Sequence, residues 1–309
     1  MLEWLHEAGI GEDRAALVDD GRILEALIEL PAGPKLDAVH RARLVEPGRV
    51  ALDTGAEATL DQAPRGVTVG AALTVRIVRE AIPEPGRAKL ARAVATDEAP
   101  RSAPTLLDRL RATGHPVRTL RPHEPDALEA AGWSELLDEA ETGEIAFPGG
   151  ALRMSPTPAM TLFDVDGGPP VGPLALAGAQ AAAAAIRRFG IGGSIGIDLP
   201  TLPGKAERQA VAAAIDAVLP PPFERTAVNG FGFLQIVRPR LRASLPERLR
   251  ADPVAAAARD LLRRLEREPP GGPRRHPVPA AVHARLLTRP AWTAELARRT
   301  GVVHELEVA

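Results

Sequence analysis

Three apolar runs, residues 159–164, 194–198 and 231–237, most constrain how this 309-residue chain can fold. Two longer segments separate them, an Ala-rich stretch over 173–189 and a second over 205–219. Short apolar runs bounded by Gly and Pro read as buried strands, and the Ala-rich stretches read as helices. Strand–helix–strand–helix–strand in this order predicts a largely parallel sheet with crossover helices. The first two runs end on Asp164 and Asp198, and Asp166 follows the first. Ligands of parallel sheets bind beyond the carboxyl ends of the strands. These acids are therefore the first candidates for chemistry.

Upstream, the pattern shortens. Residues 14–18 and 23–30 are apolar runs split by Asp20-Gly21, a hairpin signal. Residues 39–45, 49–53, 71–78 and 87–94 read as short strands. Turns at Pro47-Gly48, Thr54-Gly55, Val69-Gly70 and Pro85-Gly86 separate them. Such spacing predicts a small β-barrel. A polar, Pro-containing connector covers 96–105, and apolar residues at helical spacing cover 106–112 and 126–141. In the tail, a Pro-Gly linker over 269–279 stands between weak helices. No internal repeat is evident.

Composition excludes several chemistries. With no Cys there is no disulfide, no thiol nucleophile and no Cys-ligated zinc or iron–sulfur cluster. The net charge of −2 hides a split: residues 1–220 carry 22 basic and 31 acidic side chains, residues 221–309 carry 16 and 9. A nucleic-acid partner is therefore not excluded by charge. Only three cations are Lys, a bias that accompanies abundant Ala, Gly and Pro and reads as genomic composition. No apolar run reaches the roughly 18 residues that span a bilayer, and residues 1–10 lack the features of a signal peptide. A soluble, cytoplasmic protein without a membrane partner is expected. The seven His are scattered without ligand spacing and read as surface or capping residues. Ser155, Ser194 and Ser244 lack a nucleophile elbow.

If the first two apolar strands are neighbours, Asp164 and Asp198 stand about 4.8 Å apart at the backbone. Two such carboxylates repel unless a cation lies between them. Hard oxygen donors suit Mg²⁺ or Mn²⁺, which activates water and polarises a phosphodiester. The alternative is that each Asp simply ends a strand. Lys205 and Arg208, in the first turn of the following helix, either reach the same rim as RNA-phosphate ligands or form a solvated face. Arg238, Arg240 and Arg242 begin a basic stretch that continues to Arg248 and Arg250. It is a phosphate track or a solvated surface. Gly190-Ile-Gly-Gly precedes a strand, so it is not a dinucleotide loop.

Three motifs resemble the ribonuclease E/G family. GGALRMSPTPAMTLFDVDGG (149–168) resembles its catalytic signature, GGSIGID (192–198) its second acidic strand, and FGFLQIVRPRLR (231–242) a third motif, all in the family's order. Residues 14–22 and 42–55 are similar to its first hairpin and nested S1 barrel. The resemblance implies Mg²⁺-dependent endonucleolytic cleavage of single-stranded RNA that leaves a 5′-phosphate. Asp164 and Asp198 would be the metal ligands. Asp166 stands where the family has a supporting Asn, and its added charge either strengthens cation binding or mis-sets the pair.

The implied architecture is α/β (α+β overall). Residues 1–35 and 98–148 would form a split RNase H-like domain, the second part carrying a reduced sensor region. Residues 36–97 would be an S1/OB-like barrel, and 149–245 a catalytic domain with a mixed sheet and crossover helices. Residues 246–309 remain as a basic segment.

Departures from the family carry their own expectations. Its zinc-link cysteines are absent, so no zinc and no zinc-linked tetramer are expected. The 5′-sensor window is short, so weak 5′-end dependence follows, and its Arg118-Thr119 pair reads as incidental. The family's Glu after Thr157 is Pro158. The barrel region has no Phe, Tyr or Trp. RNA would rest there on Arg41, Arg43, Arg65, Arg76, Arg79 and Arg87. A non-catalytic RNA-binding protein on the same fold is the main alternative. A phosphoesterase with a closed pocket is a more distant one.

Overall fold

Three strands open the chain: β1 (Glu3–Ala8), β2 (Asp13–Asp19) and β3 (Arg22–Glu29). The computed structural model describes residues 1–62, 64–84, 88–269 and 271–309. Asp20 and Gly21, at φ 47° and 75°, make the expected β2–β3 turn. Five short strands follow: β4 (Val39–Glu46), β5 (Arg49–Leu52), β6 (Glu57–Leu60), β7 (Ala72–Arg79) and β8 (Ala91–Ala95). The expected turn at Pro85-Gly86 and the barrel candidate Arg87 lie outside the described residues. Next come α1 (Leu106–Ala112), β9 (Val117–Thr119), α2 (Ala127–Ala130) and α3 (Trp133–Thr142). The one helix expected over 126–141 is thus two.

The hairpin of β10 (Glu144–Phe147) and β11 (Gly150–Pro156) leads into β12 (Thr161–Gly167) and α4 (Val171–Arg188). Then follow β13 (Gly193–Asp198), α5 (Lys205–Val218), β14 (Glu224–Arg225) and β15 (Phe233–Arg238). The chain ends on α6 (Leu245–Ala251), α7 (Pro253–Glu266), β16 (Arg275–Val278), α8 (Ala280–Leu287), α9 (Pro290–Thr300) and β17 (Glu305–Val308). The linker expected over 269–279, of which Pro270 lies outside the described residues, instead contains β16. This strand pairs in parallel with β17 alone, and an edge position tolerates its Pro277. Among the described residues no helix is long and apolar enough to cross a membrane.

Met1–Pro31, Leu106–Ser134 and Arg248–Ala309 form one unit. Its sheet has the order β3-β2-β1-β9, with β9 parallel to β1. Alternation along β1 and β2 sends Trp4, Ala15 and Leu17 to one face, where they pack on Leu106 and Leu110 of α1. The other face carries Glu7 and Arg14, paired in register.

Helix α7 serves two purposes. Ala258, Leu261, Leu262 and Leu265 join an apolar core with Val278, Val282, Leu286 and Leu296. Arg259, Arg263 and Arg267, spaced four apart, reach the charged sheet face. Arg14, 1% exposed, donates to Glu7 (2.8 Å) and Glu12 (2.7 Å). Arg259 donates to Glu12 (2.5 Å), and Arg263 to Glu7 (2.9 Å) and Asp126 (2.7 Å). Arg267 closes on the other Glu7 oxygen at 2.5 Å.

The second unit comprises Ala32–Thr105 and Glu135–Glu247. It contains a closed barrel in the order β4-β5-β6-β8-β7, filled by small residues such as Val50, Ala58, Val75, Ile77 and Ala93. Closure removes the unpaired edges of a short-stranded sheet. The larger sheet has the order β10-β11-β12-β13-β15-β14. Only β12 and β13 are parallel in it, so the largely parallel expectation is corrected to a mixed sheet. The reason is connectivity. Helix α4 returns the chain to the start of a parallel neighbour, but β15 enters from the opposite end, antiparallel to β13. Phe163, Val165, Ile195, Ile197, Leu234 and Ile236 are buried on one face. Helix α4 lies against β10, β11 and β12 and contacts α5, and its buried Ala175, Ala179 and Ala182 allow close packing.

The Glu7 network yields a stability prediction. Burial pushes the Glu7 carboxyl up, but the guanidiniums of Arg263, Arg14 and Arg267 outweigh it and hold the group below its ordinary value. Stability linked to this group is therefore full above the unfolded value of about 4.3 and drains as pH falls through the folded value. Glu7→Gln leaves buried guanidiniums uncompensated and is expected to cost about 3–5 kcal/mol. Thermal unfolding followed from neutral to acid pH should show a lower Tm for the variant and a flatter acid limb.

Candidate active site

β12 and β13 pair residue by residue from Thr161↔Ile195 to Asp164↔Asp198. The two aspartates are direct neighbours on adjacent parallel strands, about 4.8 Å apart at the backbone. Alternation puts both on the face opposite Phe163, Val165 and Ile197, and both are exposed. Asp166 follows on the same face, opposite Ala151 of β11. Among the described residues the three aspartates do not form a three-ligand cluster. Asp164 and Asp198, as direct cross-strand neighbours, are the candidate pair for a shared ion.

The electrostatics favour a cation. Desolvation, then the charges of Asp166 and Asp198, push the Asp164 carboxyl above its ordinary value, while Arg153 pulls it down. Arg153 stands directly across the β11–β12 ladder from Asp164, yet its Nε donates to Glu144 on β10 (3.1 Å). One guanidinium thus serves three carboxylates, those of Glu144, Asp166 and Asp164. Mg²⁺ typically takes one or two carboxylates and keeps several waters, which an exposed pair permits.

An apolar floor adjoins the acids. Gly196 lacks a side chain, and a Cβ there would lie 2.6 Å from Phe233 Cζ and 2.8 Å from a Leu162 methyl. The Phe233 and Leu162 side chains therefore close over Gly196 on the acidic face. Phe233 pairs with Asp198. Two residues earlier, Phe231 is 84% exposed. Its turn is ordered: Asn229 Oδ1 accepts from the amides of Phe231 (2.9 Å) and Phe233 (3.0 Å). The Leu199 amide donates to the Gly232 carbonyl (3.2 Å). This exposed aromatic, in the turn two residues before the cross-strand partner of Asp198, is not singled out by the sequence reading, although the confinement of Phe to 147–233 is its signal. Arg153 is likewise legible only as one letter of a motif.

The basic candidates are spread out. Lys205 is exposed in the first turn of α5. Arg208 Nη1 donates to the Leu202 (2.8 Å) and Pro203 (3.1 Å) carbonyls, so it braces the loop before α5. Arg238 pairs with Gly193, at the opposite end of β13 from Asp198 and about 17 Å along the strand. Arg240 is held by Glu84 and Glu247, and Arg242 follows at that same end. In the barrel, Arg43 donates to the Gly70 carbonyl (2.6 Å) and Arg79 to that of Leu90 (2.8 Å). Arg76 pairs with Asp37 (3.8 Å) and Glu98 (3.6 Å). Arg41 and Arg65 are exposed. Arg118 of β9 lies 3.4 Å from Glu3.

The reading of the histidines as scattered surface or capping residues is corrected at two places: His6 on β1 is buried, and two others meet in the C-terminal segment. His276 Nε2 and His304 Nδ1 meet at 3.0 Å, with Glu268 beside them. Parallel pairing of β16 with β17 brings together residues 28 apart in sequence, which no local spacing reveals. No protein-family model matches the chain, and no curated protein matches it.

Asp164 provides a test that needs no substrate. A raised folded pKa means that its contribution to stability is complete in acid and is lost as pH rises through that value. Asp164→Asn is therefore expected to be as stable as wild type or slightly more stable at neutral pH, within about 0.5 kcal/mol. The difference should vanish in acid. Added Mg²⁺ should raise the Tm of wild type and leave Asp164→Asn and Asp198→Asn unmoved. Thermal melts at two pH values, with and without Mg²⁺, measure all three.

Proposed function

We propose that this chain is a Mg²⁺-dependent endoribonuclease acting on single-stranded RNA, in the manner implied by its resemblance to the ribonuclease E/G family. The observation that carries the reading is the direct pairing of Asp164 with Asp198 on an exposed sheet face. Asp164 and Asp198 would hold Mg²⁺, or Mn²⁺. A cation so held lowers the pKa of water and stabilises charge developing on a phosphate. Asp166 adds negative charge one step along the strand without joining the pair.

Phe231 is proposed as a stacking platform for a base beside the scissile phosphate, a contact worth about 1–3 kcal/mol. It would supply at the acidic face what the aromatic-free barrel lacks. The exposure of the three aspartates favours a polymeric substrate over a small phosphoester, which a closed pocket would suit better. The five-stranded closed barrel is compatible with an S1/OB-like module. There the exposed Arg41 and Arg65 are the side chains proposed to meet RNA phosphates. Residues 1–35 with 98–148 are read as the split RNase H-like domain. Arg238 stands at the far end of β13 from Asp198, with Arg240 and Arg242 following it, so any phosphate contact of theirs would lie away from the proposed cut.

The test is cleavage of an unstructured RNA by the full-length chain in Mg²⁺. Outer-shell partners of metal sites are worth about 10–100-fold, so losing a ligand in Asp164→Asn or Asp198→Asn should lower kcat by at least about 100-fold. Phe231→Ala should raise KM at least about fivefold and largely spare kcat. Cleavage unchanged in both Asp variants overturns the assignment. Salt-sensitive RNA binding without turnover in wild type selects the non-catalytic reading instead.

A further inference from the structure

A second cluster of donor groups lies in the C-terminal part of the chain. Glu268 follows α7, His276 is on β16, and His304 immediately precedes β17. His276 Nε2 and His304 Nδ1 are 3.0 Å apart, and His276 Nδ1 lies 3.7 Å from Glu268 Oε1. One donor atom from each of the three lies within 4.8 Å of the others. His276 is 9% exposed. Glu268 Oε2 and His304 Nε2 are buried without a hydrogen-bond partner. Unsatisfied buried polar atoms are uncommon in folded proteins and call for an explanation.

For the Glu268 carboxylate the donor chemistry supplies one; His304 would bind an ion through Nδ1 alone, so its Nε2 calls for a separate partner. Two imidazoles and a carboxylate suit Zn²⁺, which is bound by His nitrogen at about 2.0–2.1 Å. Two such nitrogens at a tetrahedral angle stand about 3.3 Å apart, a few tenths of an ångström from the spacing present here. Glu268 and His276 also line a cavity of about 350 Å³, which has room for a water as the fourth ligand. A two-stranded sheet is marginal on its own. A metal held by these three elements would fasten β16 and β17 to the end of α7.

We propose that Glu268, His276 and His304 form a Zn²⁺ site that clips the β16–β17 sheet to α7. The site is independent of the acidic face and of the activity proposed for it. It uses no cysteine, and it differs in ligands and place from the zinc link whose absence the sequence reports.

The experiment uses full-length Asp198→Asn protein stripped with EDTA, a background that removes the other candidate ion pair. Calorimetric titration with Zn²⁺ should give one ion per chain with a Kd near or below about 1 μM, and a raised Tm. His276→Gln and His304→Gln should each weaken binding by at least about 100-fold, and Glu268→Gln should weaken it as well. Asp260→Asn, which alters a cavity-lining residue outside the donor set, should bind as its parent does. Co²⁺ in place of Zn²⁺ should give a visible spectrum of tetrahedral type, which reports the site even where a variant folds poorly. Zn²⁺ binding weaker than about 100 μM by the parent protein overturns the proposal. Undiminished binding by both histidine variants also overturns it, as does a Co²⁺ spectrum of octahedral, all-oxygen type.

Discussion

The buried network of Arg14, Glu7, Glu12, Arg259 and Arg263 is the interaction on which the first unit depends. Its members come from the first two strands, the turn between them and α7, more than 240 residues later. Apolar packing alone tolerates sliding, because dispersion and burial have no direction. Charge-assisted bonds from guanidinium forks do have direction. They set α7 on the sheet at one rotation and one height. Such a network costs desolvation on every member, and its contribution comes from completeness. Each Glu7 oxygen has a guanidinium partner, and Arg263 spans both Glu7 and Asp126. A different face of α7 presents its leucines to the apolar core shared with α8 and α9, so the ionic alignment also orients that core.

The acidic face of the larger sheet works by the opposite rule. Asp164, Asp166 and Asp198 stand together with one shared guanidinium nearby, and repulsion within the group is left in place. The other side of the same strands makes this tolerable. Phe163, Ile195 and Ile197 are fully buried, and each such side chain contributes about 1.5–3 kcal/mol. A strand with one face committed to the core can carry strain on the other without losing its register. Sites that bind cations commonly have this character, since charge left unbalanced by the protein is available to a ligand.

Much of this was legible from residues alone, and the failures have identifiable causes. The runs ending in Asp164 and Asp198 are strands because apolar, β-branched residues flank a short interval between Gly and Pro. Helix α4 is legible from fifteen or so residues of high intrinsic propensity. Strands β6, β10 and β14 are not, because two to four residues carry too little periodicity. Arg240 and Arg208 look identical to Arg41 in a sequence, yet ion pairs or backbone carbonyls occupy the first two. The folded partners, whether five residues away as for Arg208 or 156 away as for Arg240 and Glu84, decide a cation's availability, and composition does not contain them.

The sequence by itself determined which segments bury one face, and that two acids close successive strands. It determined too that no thiol chemistry is open to this protein. These are properties of neighbours along the chain, within reach of one helical turn or one pleat. Only the tertiary structure decided that β12 and β13 are the one parallel pair in their sheet and that their register sets Asp164 against Asp198. It likewise brought His276 to His304 and left Phe231 exposed in the turn that leads into β15. Those outcomes depend on backbone pairing between strands remote in sequence. A shift of one residue in such a ladder reverses which side chains face the solvent.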